Sequence, residues 1–537
     1  MCVAVLSVAP TAADDVLSAA DAAAVIRTAV TALDDATLAV AVVDRTGQVL
    51  AAYARPGAAV RTADDAVSLA RTGAFFSNDR APLSSRTVRF ISGIHFPPDI
   101  RNTGNAALYG IENTNRGCSA GTQESVFTAL PRSRSLQGLP CQPSDTRGCS
   151  PGITTGKANL TDAGGFDATV NPGGTPLYRN GGLIGGVGVA GVSPDRADYA
   201  AVLAAAGSGG GVAPVGPFPG ELPAPGAVFI DGIRLPFFRA CLTLQCVRDA
   251  VTSQRPSGSA AGREAAADYL VLPRDGQPAP EQYLLGPRAS GRGNGLSASE
   301  VSRLVSQAAA TASSARAVIR LPDGQTTRMV IAITDQDGEF LAIYRMPDAP
   351  MFSVDVAMEK ARNAHYFSTR EGYEVLRGYV TGNPYDRYTW EPEPPAGKGW
   401  AITSRTLSFG GQPLFPPGID LDKAATPGPW FDLFVYDSRN PCTEGPGPSR
   451  GGTRAFQNQS GIVWFPGSAP LYRNGELVGG IGVSGDGVEQ DDLVTAGAVA
   501  GFEPPPDLRV DRSSIRTGNG DLVRLPYAKF PRNPTQP

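Results

Sequence analysis

The sequence predicts an α+β protein, two sandwich domains in tandem, each with antiparallel hairpins at its centre and helices on the faces. Two observations carry that prediction. The chain repeats itself: PLYRNGGLIGGVGV at 176–189 is answered by PLYRNGELVGGIGV at 470–483. Both copies also run through one order of elements, with an amphipathic helix, a strand pair, a second helix, a hairpin and a last helix, which is the pattern of antiparallel sheets covered by helices.

The repeat extends over most of the chain. LSAADAAAVI (17–26) answers LSASEVSRLV (296–305), and LAVAVVDRTGQVLAAYARP (38–56) answers MVIAITDQDGEFLAIYRMP (329–347). The offset is 291 at Asp44/Asp335, 319 at Arg86/Arg405, 294 at Pro176/Pro470 and 290 at Arg234/Arg524. Unequal insertions explain the jumps, roughly 28 residues before SRT in the second copy and roughly 25 after Cys118 in the first. Insertions of that size belong on surface loops, where added length costs little stability. The copies occupy 14–250 and 296–537, and the Gly/Ser/Pro-rich stretch 251–295 reads as a linker.

Within each copy, Ser18 or Ser297 is placed to cap the first helix. Two strands meet at a tight turn, Asp44–Gly47 or Asp335–Gly338. A helix follows at 63–77 or 354–368, then irregular Pro-rich chain containing a strand. Asn180-Gly181 and Asn474-Gly475 mark type I′ turns, because both central residues need positive φ. The alternating glycines after that turn bare one face of a strand to a helix, a ligand or a neighbouring subunit. The last helix spans 194–206 or 488–499, and its start, at Ser193 or near Val488, offers N–H groups to an anion.

Composition excludes several functions. A net charge of -4 without a Lys/Arg block leaves no nucleic-acid footprint. No apolar run is long enough to span a membrane. Residues 1–13 read as the remnant of a secretory signal peptide or as an ordinary disordered terminus. Cys141/Cys149 and Cys241/Cys246 are spaced for local bridges and fit no zinc pattern, so a secreted or periplasmic location is expected.

Three motifs fail on context. Gly186-x-Gly188-x-x-Gly191 and Gly480-x-Gly482-x-x-Gly485 fit the dinucleotide fingerprint, but the strand runs through the glycines and no βαβ unit follows. Gly117–Gly121 matches a nucleophile elbow, with neither a hydrophobic strand before it nor a histidine after it in the same copy. The only histidines are His95 and His365, too few for a multi-histidine metal site. Cys118 and Cys442 occupy equivalent positions and are read as local bridges, free thiols or a pair across a pseudo-twofold axis.

The joint order LS.AEA, VAVVD..G.L, D.A..KA and P.Y..GE.VGGIGVSG…QD resembles the GlcG/HbpS family, also called DUF336, in both copies apart from their inserted loops. The resemblance implies a profilin-like α/β/α fold for each domain and a small-ligand site, with haem as the leading ligand. It also implies oligomerisation through these domains, here as an internal pseudo-dimer and further as a homo-oligomer. The family's helix carries Lys-Ala, kept as Lys360-Ala361 and lost as Leu69-Ala70, so the second copy is expected to hold the better site. Its candidate residues are Lys360, Arg362, His365, Tyr472, Arg473, Gly480, Ser484 and Gly485, answered in the first copy by Tyr178, Arg179 and Gly186. His365 is the candidate axial ligand to a haem iron, and an arginine beside a hairpin suits a carboxylate. The expected activity is non-catalytic binding of a small anion. The alternatives are an enzyme on an organic acid or tetrapyrrole, and a surface assembly protein.

Overall fold

A computed structural model describes residues 16–92, 171–206, 274–318, 324–416, 426–439 and 461–535, with short pieces within 95–114, 228–249 and at 270–271. The signal-peptide reading, the elbow motif and Cys118, Cys141, Cys149 and Cys442 lie outside the described residues.

The first copy begins with α1 (Ala19–Thr31), closed at its start by a capping box between Ser18 and Asp21. Strands β1 (Ala39–Asp44) and β2 (Val49–Ala54) form a hairpin, followed by α2 (Val60–Phe76). Then come α3 (Ser85–Ser92) and two short parallel strands, β3 (His95–Phe96) and β4 (Thr103–Gly104). The glycine-rich hairpin is β5 (Gly174–Arg179) and β6 (Gly182–Ala190), leading into α4 (Pro194–Ala206). A small hairpin, β7 (Val228–Ile230) and β8 (Ile233–Leu235), precedes the Cys241–Cys246 disulfide. The joining chain holds β9 (Leu270–Val271) and β10 (Gln282–Leu285).

The second copy repeats the order as α5 (Ala298–Ser314), β11 (Val330–Thr334), β12 (Phe340–Arg345) and α6 (Phe352–Ser368). Its enlarged loop holds α7 (Arg370–Thr381) and β13 (Thr389–Glu391), before α8 (Ser404–Gly410) and α9 (Phe431–Arg439). The hairpin β14 (Ser468–Arg473) and β15 (Glu476–Ser484), α10 (Val488–Ala498), β16 (Ser514–Arg516) and β17 (Leu522–Arg524) complete it. The SRT segments, expected in a stretch of loop and strand, are the helices α3 and α8. The reason is local: Thr403 and Thr406 form a capping box, and Ser84 accepts from Thr87 N–H in the same way.

Two five-stranded sheets organise the molecule, in the orders β5-β6-β1-β2-β9 and β10-β12-β11-β15-β14. Their named pairs are all antiparallel. The stretch expected to be a linker therefore lends an edge strand to each sheet. Every β1 residue is buried because helices cover both faces: Val40 and Val42 pack with α1 and α4, Ala39, Ala41 and Val43 with α2. At the hairpin tips Asn180 and Gly181 take φ of 49° and 86°, Asn474 and Gly475 take 53° and 78°, as a type I′ turn requires.

The copies pack on each other. Phe76 stacks on Phe352 with ring centroids 4.2 Å apart, and Arg45 pairs with Asp348 at 2.7 Å. One apolar cluster runs from the α2 face of the first copy through most of the core of the second.

Candidate functional site

The glycine stripe proves to be a packing surface. A Cβ on Gly188 would sit 2.0 Å from the Ala66 carbonyl of α2, and one on Gly482 would sit 2.0 Å from the Ala357 carbonyl of α6. Gly186 and Gly480 lie equally close to Ala70 and Ala361. The helix occupies the bare strand face, so these glycines set the helix-to-sheet distance rather than open a pocket.

The arginines of the hairpins hold helix starts. Arg473 pairs with Glu300 at 3.0 Å, the acid of the α5 capping box, and donates to the Asn294 and Gly295 carbonyls. Arg179 does the same in the first copy, to Asp21 at 2.6 Å and to the Val16 carbonyl at 3.0 Å. Arg362 donates to the Gly338 carbonyl at 3.0 Å and lies over the Phe340 ring, pinning the β11–β12 turn; Arg71 does this for Gly47. Tyr178 is buried and donates to the Asn78 carbonyl at 2.7 Å, and Tyr472 is buried beside Ala401 and Leu508. Burial raises both phenols above their ordinary range.

Lys360 is wholly buried. Its ammonium donates to the Val483 carbonyl and to Asp491 Oδ2, both at 2.8 Å, and lies 4.9 Å from the centre of the Phe465 ring. Burial holds the lysine below its usual range and pushes Asp491 up to about 7, each pulled back by the other's charge. Asp491 Oδ1 is buried without a hydrogen-bond partner. Next to this pair, Ser484 donates to Ser353 at 3.0 Å, and Gly485 abuts the Arg328 carbonyl. A second buried carboxylate, Asp492, takes Arg405, as Asp198 takes Arg86 in the first copy.

His365 lies deep on α6, its backbone N against the Gly480 position. Burial drops its imidazole to about 4, so it is neutral at pH 7, and Nδ1 has no hydrogen-bond partner. Among the described residues no group of three His, Cys, Asp or Glu is placed to hold a metal ion. The named candidates thus fall into separate networks. Lys360 and Ser484 join α6 to the end of β15, Gly485 packs on the Arg328 carbonyl, Arg362 reaches the β11–β12 turn, His365 lies behind Gly480, and Arg473 belongs to the start of α5.

Two clefts lie outside those networks. In the second copy a largely apolar cleft of about 370 Å3 runs between α10 and the C-terminal chain, lined by Ala469, Asp492, Val499, Arg509, Tyr527 and Phe530. Arg509 lies over the Tyr527 ring at 4.7 Å and pairs with Asp511. The cleft has a sequence cause: IRLPFF aligns with VRLPYA, so Ala528 stands where the first copy has Phe238, fully buried in the same apolar cluster as Ala201, Val202 and Ala205 of α4. In the first copy a more polar cleft of about 290 Å3 lies between the starts of α2 and α4, lined by Thr62, Asp65, Leu69, Asn171, Ser193 and Ala197. His365 lines neither cleft.

Sequence reading missed Asp491 and Ala528. A lysine on a wholly buried helix face must find an acid, and the paired difference Lys360/Leu69 with Asp491/Ala197 was the available signal. For Ala528 it was the loss of a phenyl ring between aligned repeats.

A family model described as "Haem degrading protein HbpS-like" matches residues 17–207, 297–415 and 429–500. No curated protein matches the chain. Among solved structures, a PduOC–haem complex is 20% identical and covers 39% of this chain and 96% of its own, with a TM-score of 0.22. The Klebsiella pneumoniae protein ORFY, of DUF336, is 16% identical over 40% of this chain and 94% of its own, at 0.23. A double mutant of Streptomyces reticuli HbpS is 20% identical over 38% and 97%, at 0.18. Among the described residues no helix is long and apolar enough to cross a membrane.

Proposed function

The chain belongs to the HbpS-like family, in two tandem copies, and from that premise we propose that it binds haem or a related tetrapyrrole in the cleft of the second copy, without turnover. The observation that carries this reading is the cleft itself. At about 370 Å3 it falls within the range of roughly 300–1,000 Å3 usual for small-ligand sites, and its walls are mainly apolar. Val499, Pro504 and Phe530 suit the flat ring, and the guanidinium of Arg509 suits a carboxylate on its edge. The iron would bring redox chemistry and a strong visible absorption. The lining offers it no His, Cys or Met, and burial keeps the phenol of Tyr527 protonated, so the fit is to the ring and its carboxylates rather than to the metal. We further propose an exported protein, a reading the Cys241–Cys246 disulfide supports.

The test is a pair of titrations of the whole protein, one with haemin and one with iron-free protoporphyrin IX. Both should saturate with affinities within a few-fold of each other, and Ala528→Phe should abolish both by restoring the ring of the first copy. Absence of saturation, or binding indifferent to Ala528→Phe, would overturn the proposal. Binding of haemin alone, lost in His365→Ala, would move the site to α6. The family's description favours a second reading, turnover of the bound tetrapyrrole. A Soret band that decays in air with a reductant, only in the presence of protein, would establish it.

A further inference from the structure

The two copies treat one place in opposite ways. In the second it is the open cleft, walled by Ala469, Thr495, Ala496 and Val499 and passed by the chain at Tyr527 and Ala528. The aligned residues of the first copy are Thr175, Ala201, Val202 and Ala205, with Phe237 and Phe238 on the passing chain. Hydrogen bonds fix the register. Ser84 and Thr87 donate to the Phe237 and Pro236 carbonyls as Thr403 and Thr406 donate to those of Tyr527 and Pro526. Phe238 is fully buried in one apolar cluster with the three α4 residues, so its ring occupies the place that the second copy leaves open.

Two observations mark that ring as a removable plug. The first lies on the wall. Gly174 faces α2, where a Cβ would meet the Leu69 carbonyl, so the next residue along the strand, Thr175, faces α4. Its hydroxyl is buried without a hydrogen-bond partner, at the position where Ala469 lines the open cleft. Water or a ligand entering there would give the hydroxyl a hydrogen bond that a phenyl ring does not. The second observation is the fastening. Phe238 is followed by a turn with Arg239 at φ 48°, closed by the Cys241 N–H donating to the Phe238 carbonyl at 2.8 Å. Cys241 is tied in turn to Cys246, which is exposed. The second copy has Pro531 at the place of Cys241 and no cysteine after Cys442. The bond accompanies the plug, and the copy with the open cleft lacks both.

We propose that the Cys241–Cys246 disulfide is a redox latch on a second ligand cleft, shut while the bond stands and opened by a reducing dithiol. For its ligand class, a flat apolar ring, this rests on the tetrapyrrole reading of the second copy. A thiolate of the dithiol attacks Cys246 Sγ, and the Sγ–Sγ bond breaks as Cys241 leaves and takes up a proton. The second thiol of the reagent then displaces Cys246 as a free thiol. Two electrons and two protons pass to the protein, and the reagent departs as a cyclic disulfide. With the turn untied, Phe238 swings out and the ligand enters beside Thr175. An exported protein then carries one open cleft and one shut, and gains the second in reducing surroundings.

The experiment uses iron-free protoporphyrin IX, so that the thiols meet no metal. It is titrated into the full-length protein and into Ala528→Phe, each with and without dithiothreitol, while hydrogen exchange follows the backbone. The oxidised parent should bind one equivalent and the reduced parent two. Oxidised Ala528→Phe should bind none, and its reduced form one. Cys241→Ser/Cys246→Ser should bind two without dithiothreitol, which assigns the effect to this bond rather than to another cystine. If that variant does not fold, Phe238→Ala removes the plug directly and should bind two while oxidised. Exchange of the Cys241 amide should rise at least roughly tenfold on reduction with α4 unchanged, the sign of local opening. An amide that exchanges no faster, or α4 opening along with it, would overturn the latch. A parent that binds while reduced Ala528→Phe does not would overturn the second cleft alone. A parent that binds no porphyrin in either state would overturn the tetrapyrrole reading, and with it the ligand named here.

Discussion

The two copies share a scaffold and differ at its most expensive position. Both keep an arginine–aspartate pair between the SRT helix and the last helix, Arg86 with Asp198 and Arg405 with Asp492. One step along, the second copy has Lys360 with Asp491, wholly buried, while the first has Leu69 and Ala197. A buried ion pair and an apolar pair thus serve the same fold, but each partner suits only its own mate. The desolvation of two charges is offset only when both are present, and either charge alone is stranded. The copies also trade space: Phe238 fills a volume that Ala528 leaves open, and Leu69 leaves open a volume that Lys360 fills.

The largest expected effect comes from mixing the pairs. Lys360→Leu alone leaves Asp491 buried and unpaired and should cost about 3–5 kcal/mol in chemical denaturation. Adding Asp491→Ala should recover most of that loss, since it installs the first copy's solution. A double variant as unstable as the single one would show that the pair is needed for more than neutrality.

Next is the pH response. Burial raises Asp491 from 3.8 to about 7, so its ionisation is disfavoured in the folded state. A raised folded value means stability that is fully present below the unfolded value and lost as pH rises through the folded one. Stability should therefore decline between about pH 4 and 7. In the Lys360→Leu/Asp491→Ala variant that decline should be shallower, measured as denaturation midpoints across the range. Asp44, Asp198 and Asp492, also raised by burial, keep the remaining slope.

The smallest effect distinguishes the hairpin arginines from ligand residues. Arg473→Ala and Arg179→Ala should each cost about 1 kcal/mol through loss of a partly exposed ion pair and its neighbouring carbonyl bonds. Both should leave haemin binding within twofold of the parent. A loss of haemin binding would return these residues to the site.

Much of the fold was legible because its signals are local. Asn-Gly, the serine caps at Ser18 and Ser297 and the turns at Asp44–Gly47 and Asp335–Gly338 each specify backbone within a few residues, and each reading occurs in both copies. The SRT helices were missed because a short helix between Pro-rich stretches carries little periodicity. The site was less legible for a different reason. Whether a glycine stripe receives a ligand or a helix depends on what packs on it from 120 residues away, and here α2 and α6 do. Lys360 stood out as a difference between the copies, but its partner Asp491 lies on another helix, and local pattern does not announce tertiary pairs.

The joining chain carries a consequence for how such a molecule is divided. Its β9 lies along β2 and its β10 along β12, while Gln277 N–H and Ser290 Oγ donate to the equivalent turn acids Asp44 and Asp335. It works as a double-ended selvedge, finishing the raw margin of each sheet with thread from the same spool. Cutting after residue 250 would bare β2, and cutting before residue 296 would bare β12, either one ready to stitch itself to a neighbour. Only a cut between β9 and β10 leaves both margins finished, so the place where the halves can be parted lies inside the joining chain and not at either of its ends.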